Sequence, residues 1–359
     1  MVDWSLSRQI AGFAAGSAPV PDLGVDLDEL AARSLAPLSE YTGFELRGAL
    51  PPAEAVARRE WAEINLDTLA EMLGPVAGRL DGRLSSAGPL AGALRAAAGA
   101  TLAAEAGLVM GYVSQRVLGQ YELSLLQPPE APPAPGRLLF VAPNLERAAT
   151  AMKVDAGSFY AWVVLHELTH VLQFSAVPWL RDHLGSLLRE YIETLDVRIQ
   201  RGAAGGLPSF PDPARIVADF REGGLAALVQ TREQRGIMRR MQSAMAIVEG
   251  YSEHVMDVLG ARMLDDYEGL REAMDRRRRS RSAPEQVLQR LLGLDMKLRQ
   301  YELGKRFCDA VVERHGIGAL NQVWGSPEAL PSARELDAPD AWVARMGRQS
   351  EPATPAAAG

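Results

Sequence analysis

The sequence of 359 residues has a single cysteine and a net charge of −7 at neutral pH. One cysteine excludes an intramolecular disulfide and a zinc site made of several thiolates, and it is typical of a reducing compartment. The acidic balance argues against a general nucleic-acid-binding protein, which carries a basic face. The N-terminus lacks the pattern of an export signal, and no uncharged apolar run reaches the roughly 18 residues of a membrane span. We therefore predict a cytoplasmic protein that binds neither nucleic acid nor membrane.

Helix-forming patterns dominate what is present. Apolar residues recur three and four positions apart over 54–80, which predicts an amphipathic helix. The more apolar segment 89–119 has few polar faces, so we expect it to lie deeper. Two short apolar runs, 121–127 and 136–143, flank a proline-rich loop and predict a small antiparallel pair of strands. The fold class is therefore mainly α with a minor β element.

The helical pattern resumes after residue 144 and continues almost to the end. We expect breaks at Pro178, 202–213, 279–284 and 325–331, where proline and glycine accumulate. Because no internal repeat or domain boundary is evident, we predict a single domain of two lobes over residues 1–347. Residues 348–359 contain too few apolar side chains to pack and are predicted to be disordered.

The segment WVVLHELTHVLQF contains two of the five histidines in a mostly apolar context. Positions i and i+4 share one face of a helix, so His166 and His170 can point at the same ion. Glu167 lies one position further round, where it reaches a water rather than the metal. This is the HExxH pattern, whose histidines bind zinc and whose glutamate is the general base. The alternative is a pair of hydrogen-bonded core histidines; we predict Zn²⁺ and a helix over about 157–174.

A catalytic zinc ion usually has three protein ligands. The extended motif of the metzincins is excluded, because Gln173 and Ala176 stand where that motif requires glycine and histidine. Two glutamates on later helical segments remain. Glu190 lies 20 residues after His170, a separation close to that of thermolysin-like enzymes, and Glu249 lies 79 residues after it.

The residues around Glu249 favour it as the third ligand. Glu253 follows four positions later on the same helix face, where it could accept the remaining N–H of a ligand histidine. Gly250 would let the HExxH helix approach closely. At the same offset from Glu190 stands Thr194, which is less suited to that role. We predict Glu249 as the ligand, with Glu190 as the alternative.

The helix that carries this ligand is predicted over about 235–260. His254 is a further alternative ligand and, with Tyr251 and Tyr301, a candidate donor to the oxyanion that forms on an attacked carbonyl; all three are also typical of helix packing. An extended peptide substrate would normally pair with an edge strand. The segment RLLFV (137–141), shortly before the zinc helix, is the candidate for that strand.

Four stretches together resemble the zincin-like metallopeptidase type 2 family: LHELTHVLQF, VPWLRDHL, VEGYSEHVMD and LLGLDMKLRQYELGKRFC. The resemblance covers about residues 2–345. The opening VDW, with VLGQYELSLL and LLFVAPNL, is similar to the subgroup associated with biosynthesis of the deazaflavin coenzyme. The resemblance implies a mainly helical zincin-type fold and a zinc-dependent hydrolase. Its zinc motif maps to His166, Glu167 and His170, and its acidic motif to Glu249 and Glu253.

The resemblance supplies no substrate. The leading hypothesis is a cytoplasmic zinc metallopeptidase, or a hydrolase of peptide-like amide bonds, whose partner is a peptide or peptide-like substrate. The alternative is a zinc-stabilised scaffold or binding protein without turnover, associated with deazaflavin coenzyme metabolism. Glu167 favours the enzyme, because a structural zinc site needs no general base.

Overall fold

The computed structural model describes residues 2–84, 91–123, 136–194, 232–279 and 294–350. Helices make up most of this part of the chain, as predicted. In chain order they are α1 Trp4–Ala15, α2 Leu27–Thr42, α3 Arg58–Leu84, α4 Ala91–Ser114, α5 Ala142–Met152, α6 Ala156–Ala176, α7 Pro178–Thr194, α8 Arg232–Met263, α9 Tyr267–Arg279, α10 Leu294–His315, α11 Ile317–Leu320, α12 Ala333–Asp337 and α13 Pro339–Ser350. Two 3₁₀ turns, Asn321–Trp324 and Pro327–Ala329, lie between α11 and α12.

The strands are β1 Ala53–Val56, β2 Gly119–Glu122 and β3 Arg137–Val141, in the spatial order β1-β3-β2. The predicted antiparallel pair is confirmed as β2 and β3. Strand β1 corrects the prediction of a helix over 54–80. Residues at the start of that range pair parallel to β3, and α3 begins only at Arg58. The central position of β3 also overturns its prediction as the free edge, since both of its sides are hydrogen-bonded. Among the described strands, β1 and β2 form the two edges of the sheet.

Alternate residues of β3 enter two different hydrophobic clusters. Leu138 and Phe140 belong to the larger cluster, whereas Leu139 and Val141 belong to the smaller one. Successive side chains of a strand point to opposite faces, so the sheet has a core on each side. The smaller core lies against α1, α3 and α4, and the larger core contains α6 and α8.

Helix α4 corrects the expectation that residues 89–119 lie deep. It packs closely on α1, since a Cβ added at Gly107 would lie 2.6 Å from the carbonyl oxygen of Ser7. Its other faces reach the surface: Leu102 and Leu108 are 44% and 56% exposed. The helix buries one stripe against α1 and α3, and its high apolar content does not imply burial all round.

One stretch of α4, Ala96–Ser114, is long and apolar enough to cross a membrane, with a mean hydropathy of 1.3. The core helices of many water-soluble proteins satisfy the same criterion of length and composition, so this is weak evidence of a membrane span. The stretch includes Glu105.

Helices α6 and α8 occupy the ranges predicted for the HExxH helix and the third-ligand helix. The side chain of Asp155 caps α6 by accepting a hydrogen bond from the backbone N–H of Ser158. The predicted break at Pro178 is confirmed, because α6 ends at Ala176 and α7 begins with that proline. Proline is well tolerated in the first turn of a helix, where its missing N–H would have no helical partner.

Several predictions fall outside the described residues. These include the break at 202–213, almost all of the break at 279–284, and residues 351–359 of the predicted tail. The remaining tail residues, 348–350, form the last turn of α13.

Candidate metal centre

Three side chains from α6 and α8 bring their ligand atoms together in a small triangle. The Nε2 atoms of His166 and His170 lie 3.3 Å apart, and Oε2 of Glu249 lies 3.7 and 3.5 Å from them. In a tetrahedral zinc site with bonds of about 2.0–2.1 Å, neighbouring ligand atoms are separated by about 3.3–3.4 Å. The three edges are close to this value, so these residues fit a zinc ion and form a candidate metal site.

The two helices set this geometry in different ways. On α6 the histidines are one turn apart, and their ring planes lie at 84° to each other. Helix α8 packs against the same face and adds the carboxylate of Glu249. The side chain of His170 is 11% exposed, whereas that of His166 is 20% exposed. The centre is therefore mostly buried, and it is more open on the side of His166.

The alternative ligand, Glu190, has another partner. Both of its carboxylate oxygens lie 2.8 Å from the guanidinium of Arg240, and the two side chains are about half exposed. Arg240 stands nine residues before Glu249 on α8, a separation of about 13 Å along a helix. The structure therefore brings Glu249, and not Glu190, to the histidines.

The electrostatics of the site follow from the pairing of His170 with Glu249. Burial alone would lower the pKa of His170. Hydrogen bonding to Glu249 and its negative charge outweigh burial, with smaller contributions from Glu167 and Gln173, and they raise this pKa to about 9. A carboxylate that attracts a proton to this position also attracts a divalent cation.

Glu167 lies against β2, on the edge that faces away from β3. Its Oε2 accepts a hydrogen bond of 2.8 Å from the backbone N–H of Tyr121. Gly119 provides the space, because a Cβ there would lie 2.8 Å from Cγ of Glu167. Alternate backbone groups of an antiparallel strand point away from its partner. The carbonyl of Leu118 accepts a hydrogen bond from the N–H of Val141 in β3. The backbone N–H and C=O groups of Gly119 and Tyr121 therefore point to the opposite, outer edge of β2.

The outer nitrogens of the two histidines have partners that the sequence analysis did not identify. Nδ1 of His170 lies 2.8 Å from Oε1 of Gln173, and Nδ1 of His166 lies beside the sulfur of Met256 and 3.3 Å from Oγ of Ser252. Glu253, predicted to accept from a ligand histidine, instead pairs with Arg271 at 3.0 Å. Its side chain points to a different set of neighbours, although it shares a helix with Glu249.

The predicted oxyanion donors are engaged elsewhere. Tyr251 is buried and donates to Oδ1 of Asn321, and burial raises the pKa of its phenol well above the usual value. His254 lies between the hydroxyl of Tyr41 and a carboxylate oxygen of Asp309, at 2.7 and 2.8 Å. The side chain of Tyr301 lies outside the described residues.

Gly250 also plays a different part from the one predicted. A Cβ at this position would lie 2.2 Å from the carbonyl carbon of Gly304 in α10. The glycine therefore permits close contact between α8 and α10, and not between α8 and the HExxH helix. One residue further along a helix turns the side chain by about 100°, away from the direction of Glu249.

The chain is similar to known proteins over nearly its whole length. The family model of the zincin-like metallopeptidases matches residues 2–343. The chain belongs to the zincin-like metallopeptidase family. A solved structure from Chloroflexus aurantiacus, described only as a candidate hydrolase with a novel fold, is 30% identical in sequence. The match covers 97% of this chain and 99% of that one, with a TM-score of 0.71. No curated protein matches the sequence.

Membership of the zincin-like metallopeptidase family agrees with the ligand triangle. The family implies a metal ion, most simply zinc, and the HExxH helix supplies two of the three ligand atoms that lie together. Two histidine nitrogens and one carboxylate oxygen are a ligand set that zinc accepts readily.

Proposed function

We propose that this zincin-like metallopeptidase hydrolyses peptide-like amide bonds with a zinc ion held by His166, His170 and Glu249. The observation that carries the proposal is the triangle of their ligand atoms with Glu167 next to it on the same helix. Family membership supports the activity, as does the description of the Chloroflexus protein as a candidate hydrolase.

Glu167 provides the acid–base chemistry of the proposed reaction. When bound, zinc supplies a Lewis acid for the substrate carbonyl and lowers the pKa of an attacking water. The carboxylate of Glu167 takes a proton from that water and delivers it to the leaving nitrogen. The backbone N–H of Tyr121 orients this carboxylate through Oε2, which leaves Oε1 for the proton transfer.

The outer edge of β2 is the proposed binding surface for an extended substrate. The N–H of Tyr121 on this edge already donates to Glu167, so a substrate would pair through the other outward backbone groups of Gly119 and Tyr121. An extended peptide pairs with such an edge through main-chain hydrogen bonds. Because the edge and the general base are in contact, a peptide on β2 would lie next to the metal ligands. We therefore propose β2, in place of β3, as the strand that pairs with an extended substrate.

One observation favours the second candidate, a zinc-stabilised scaffold or binding protein of deazaflavin coenzyme metabolism. Glu167 is 6% exposed, and its hydrogen bond to Tyr121 ties α6 to the sheet. A buried glutamate of this kind contributes to packing with or without turnover. Both candidates are proposed to be cytoplasmic.

The variant Glu167→Gln separates the two candidates. The amide retains an oxygen that can accept from Tyr121, so zinc content and thermal stability should stay close to those of the parent. It cannot take up a proton, so turnover should fall by at least about 100-fold if Glu167 is the general base. Cleavage of a peptide library by zinc-loaded parent and variant measures the difference.

Glu190→Gln is the matched control, because it makes the same chemical change in a surface ion pair and should leave cleavage unchanged. Equal cleavage by the parent and by Glu167→Gln would remove the general base from the mechanism. Zinc-loaded parent that cleaves no member of the library would favour the scaffold.

A further inference from the structure

We infer that Gln173 positions His170 for metal binding, by holding the imidazole proton on Nδ1 and tying the ring to the backbone of α8. This inference rests on the proposed zinc centre. Gln173 is fully buried on α6, three residues after His170. Its Oε1 lies 2.8 Å from Nδ1 of His170, and its Nε2 lies 2.9 Å from the carbonyl oxygen of Val248.

The hydrogen-bond roles follow from the carbonyl of Val248. A carbonyl can only accept, so the end of the Gln173 side chain that faces it must be the NH₂ group. The other end, facing His170, is then the amide oxygen, which can only accept. Nδ1 of His170 must therefore carry a proton and donate it. The other nitrogen, Nε2, is the one that lies in the ligand triangle, and it keeps its lone pair for the metal.

The same side chain also sets the spacing between two ligands. Val248 immediately precedes Glu249 on α8. One buried amide therefore contacts the ring of a ligand on α6 and the backbone next to a ligand on α8. Since the bond distances between zinc and its ligands vary by only tenths of an ångström, a contact that fixes one ligand relative to the other directly influences affinity.

Ser252 gives His166 a comparable but different support. Its hydroxyl donates to the carbonyl oxygen of Glu249 at 3.0 Å, which directs a lone pair to Nδ1 of His166 at 3.3 Å. Each histidine is thus contacted by a neutral side chain, Gln173 or Ser252, that donates a hydrogen bond to a backbone carbonyl of α8. A neutral acceptor orients an imidazole without the added negative charge that a carboxylate would bring to the centre.

The test compares Gln173→Leu and Gln173→Glu with the parent. Leucine fills a similar volume without an acceptor, so zinc should bind about 10–100-fold more weakly, as measured by competition with a chelator. Glutamate keeps an oxygen towards His170 but, when ionised, cannot donate to the carbonyl of Val248, so its zinc affinity should fall between that of the parent and that of Gln173→Leu. Gln234→Leu is the matched control: Gln234 is also buried and bonds to a backbone carbonyl, that of Thr194. It stands 15 residues before Glu249 on α8, about 22 Å away, and its loss should leave zinc affinity unchanged.

A spectroscopic measurement tests the proton itself and needs no variant. In zinc-loaded protein with ¹⁵N-labelled histidine, the His170 resonances should show a proton on Nδ1 that exchanges slowly with solvent. A proton on Nε2 instead, or parent-like zinc affinity in Gln173→Leu, would overturn the role of Gln173. A parent that binds no zinc would overturn the metal centre as well, whereas zinc binding without hydrolysis would count against the proposed activity alone.

Discussion

Glu249 and Glu253 stand one turn apart on α8, and their surroundings differ in kind. The carboxylate of Glu249 faces two imidazole nitrogens at 3.5 and 3.7 Å. The carboxylate of Glu253 faces the guanidinium of Arg271 at 3.0 Å, and Arg271 also contacts Asp257, one turn further on, at 2.9 Å. An arginine is always charged, so the second cluster holds its own cation. An imidazole is not permanently charged, and the first cluster suits a cation from outside.

The charged cluster continues from Asp257 across α8 and α10. Lys305 lies 2.8 Å from Asp257 and also contacts Asp309, which in turn accepts from His254. Burial alone would raise the pKa of Asp309, but hydrogen bonds from His254 and Lys305 lower it. Each acid therefore has a cationic or N–H partner within the protein. Carboxylates one helical turn apart can therefore have different roles. The groups packed opposite each carboxylate decide whether it can bind a metal ion or forms an ion pair within the protein.

The largest effect is expected from loss of a ligand histidine. Parent protein should contain one equivalent of zinc per chain, and His170→Ala should abolish this stoichiometry because two ligand atoms hold the ion poorly. Loss of bound metal also removes its stabilisation of the folded state, which at a free concentration 100 times the Kd is about 2.7 kcal/mol. Metal analysis and thermal unfolding measure the two effects. Full zinc content in His170→Ala would contradict the metal centre.

The next effect distinguishes the two glutamates considered as third ligand. Glu249→Ala should weaken zinc binding by more than about 100-fold, the upper end of what a residue behind a ligand contributes. Glu190→Ala removes a surface ion pair with Arg240 and should leave zinc affinity nearly unchanged. Chelator competition measures both variants. Normal zinc affinity in Glu249→Ala with weak zinc binding in Glu190→Ala would show that the third ligand is on α7.

The sequence was sufficient to bring the two histidines together because their spacing is local, whereas Glu249 was chosen from roles of Glu253 and Gly250 that the structure does not show. The HExxH pattern places both histidines on one helix face by spacing alone, and the boundaries of α6 follow from Asp155 and Pro178. The pairing of β2 with β3 could be predicted for the same reason, since the two apolar runs are close in sequence. The orienting role of Gln173 was also accessible, because it stands three residues after His170 on the same helix.

Contacts between distant segments could not be read from spacing. The space that Gly119 leaves for Glu167 joins residues 48 positions apart, and β1 pairs with a strand more than 80 residues away. The position of Glu253 failed as a guide for a related reason. Spacing on α8 shows which residues share a face, but it does not show that Arg271 packs against part of that face.

A small effect on zinc, and the sharpest test of the comparison, is expected for Glu253→Gln. The side chain is 5% exposed, and the change replaces the charge opposite Arg271 with a neutral amide. Arg271 retains Asp257, so the free energy of unfolding should fall by about 1–3 kcal/mol, the range for a weakened buried hydrogen bond. Zinc affinity should change by less than tenfold, well below the loss in Glu249→Ala. Denaturant unfolding and chelator competition on the same samples separate the two quantities. A loss of zinc affinity without a loss of stability would show that Glu253 acts on the metal centre and that the two clusters are one.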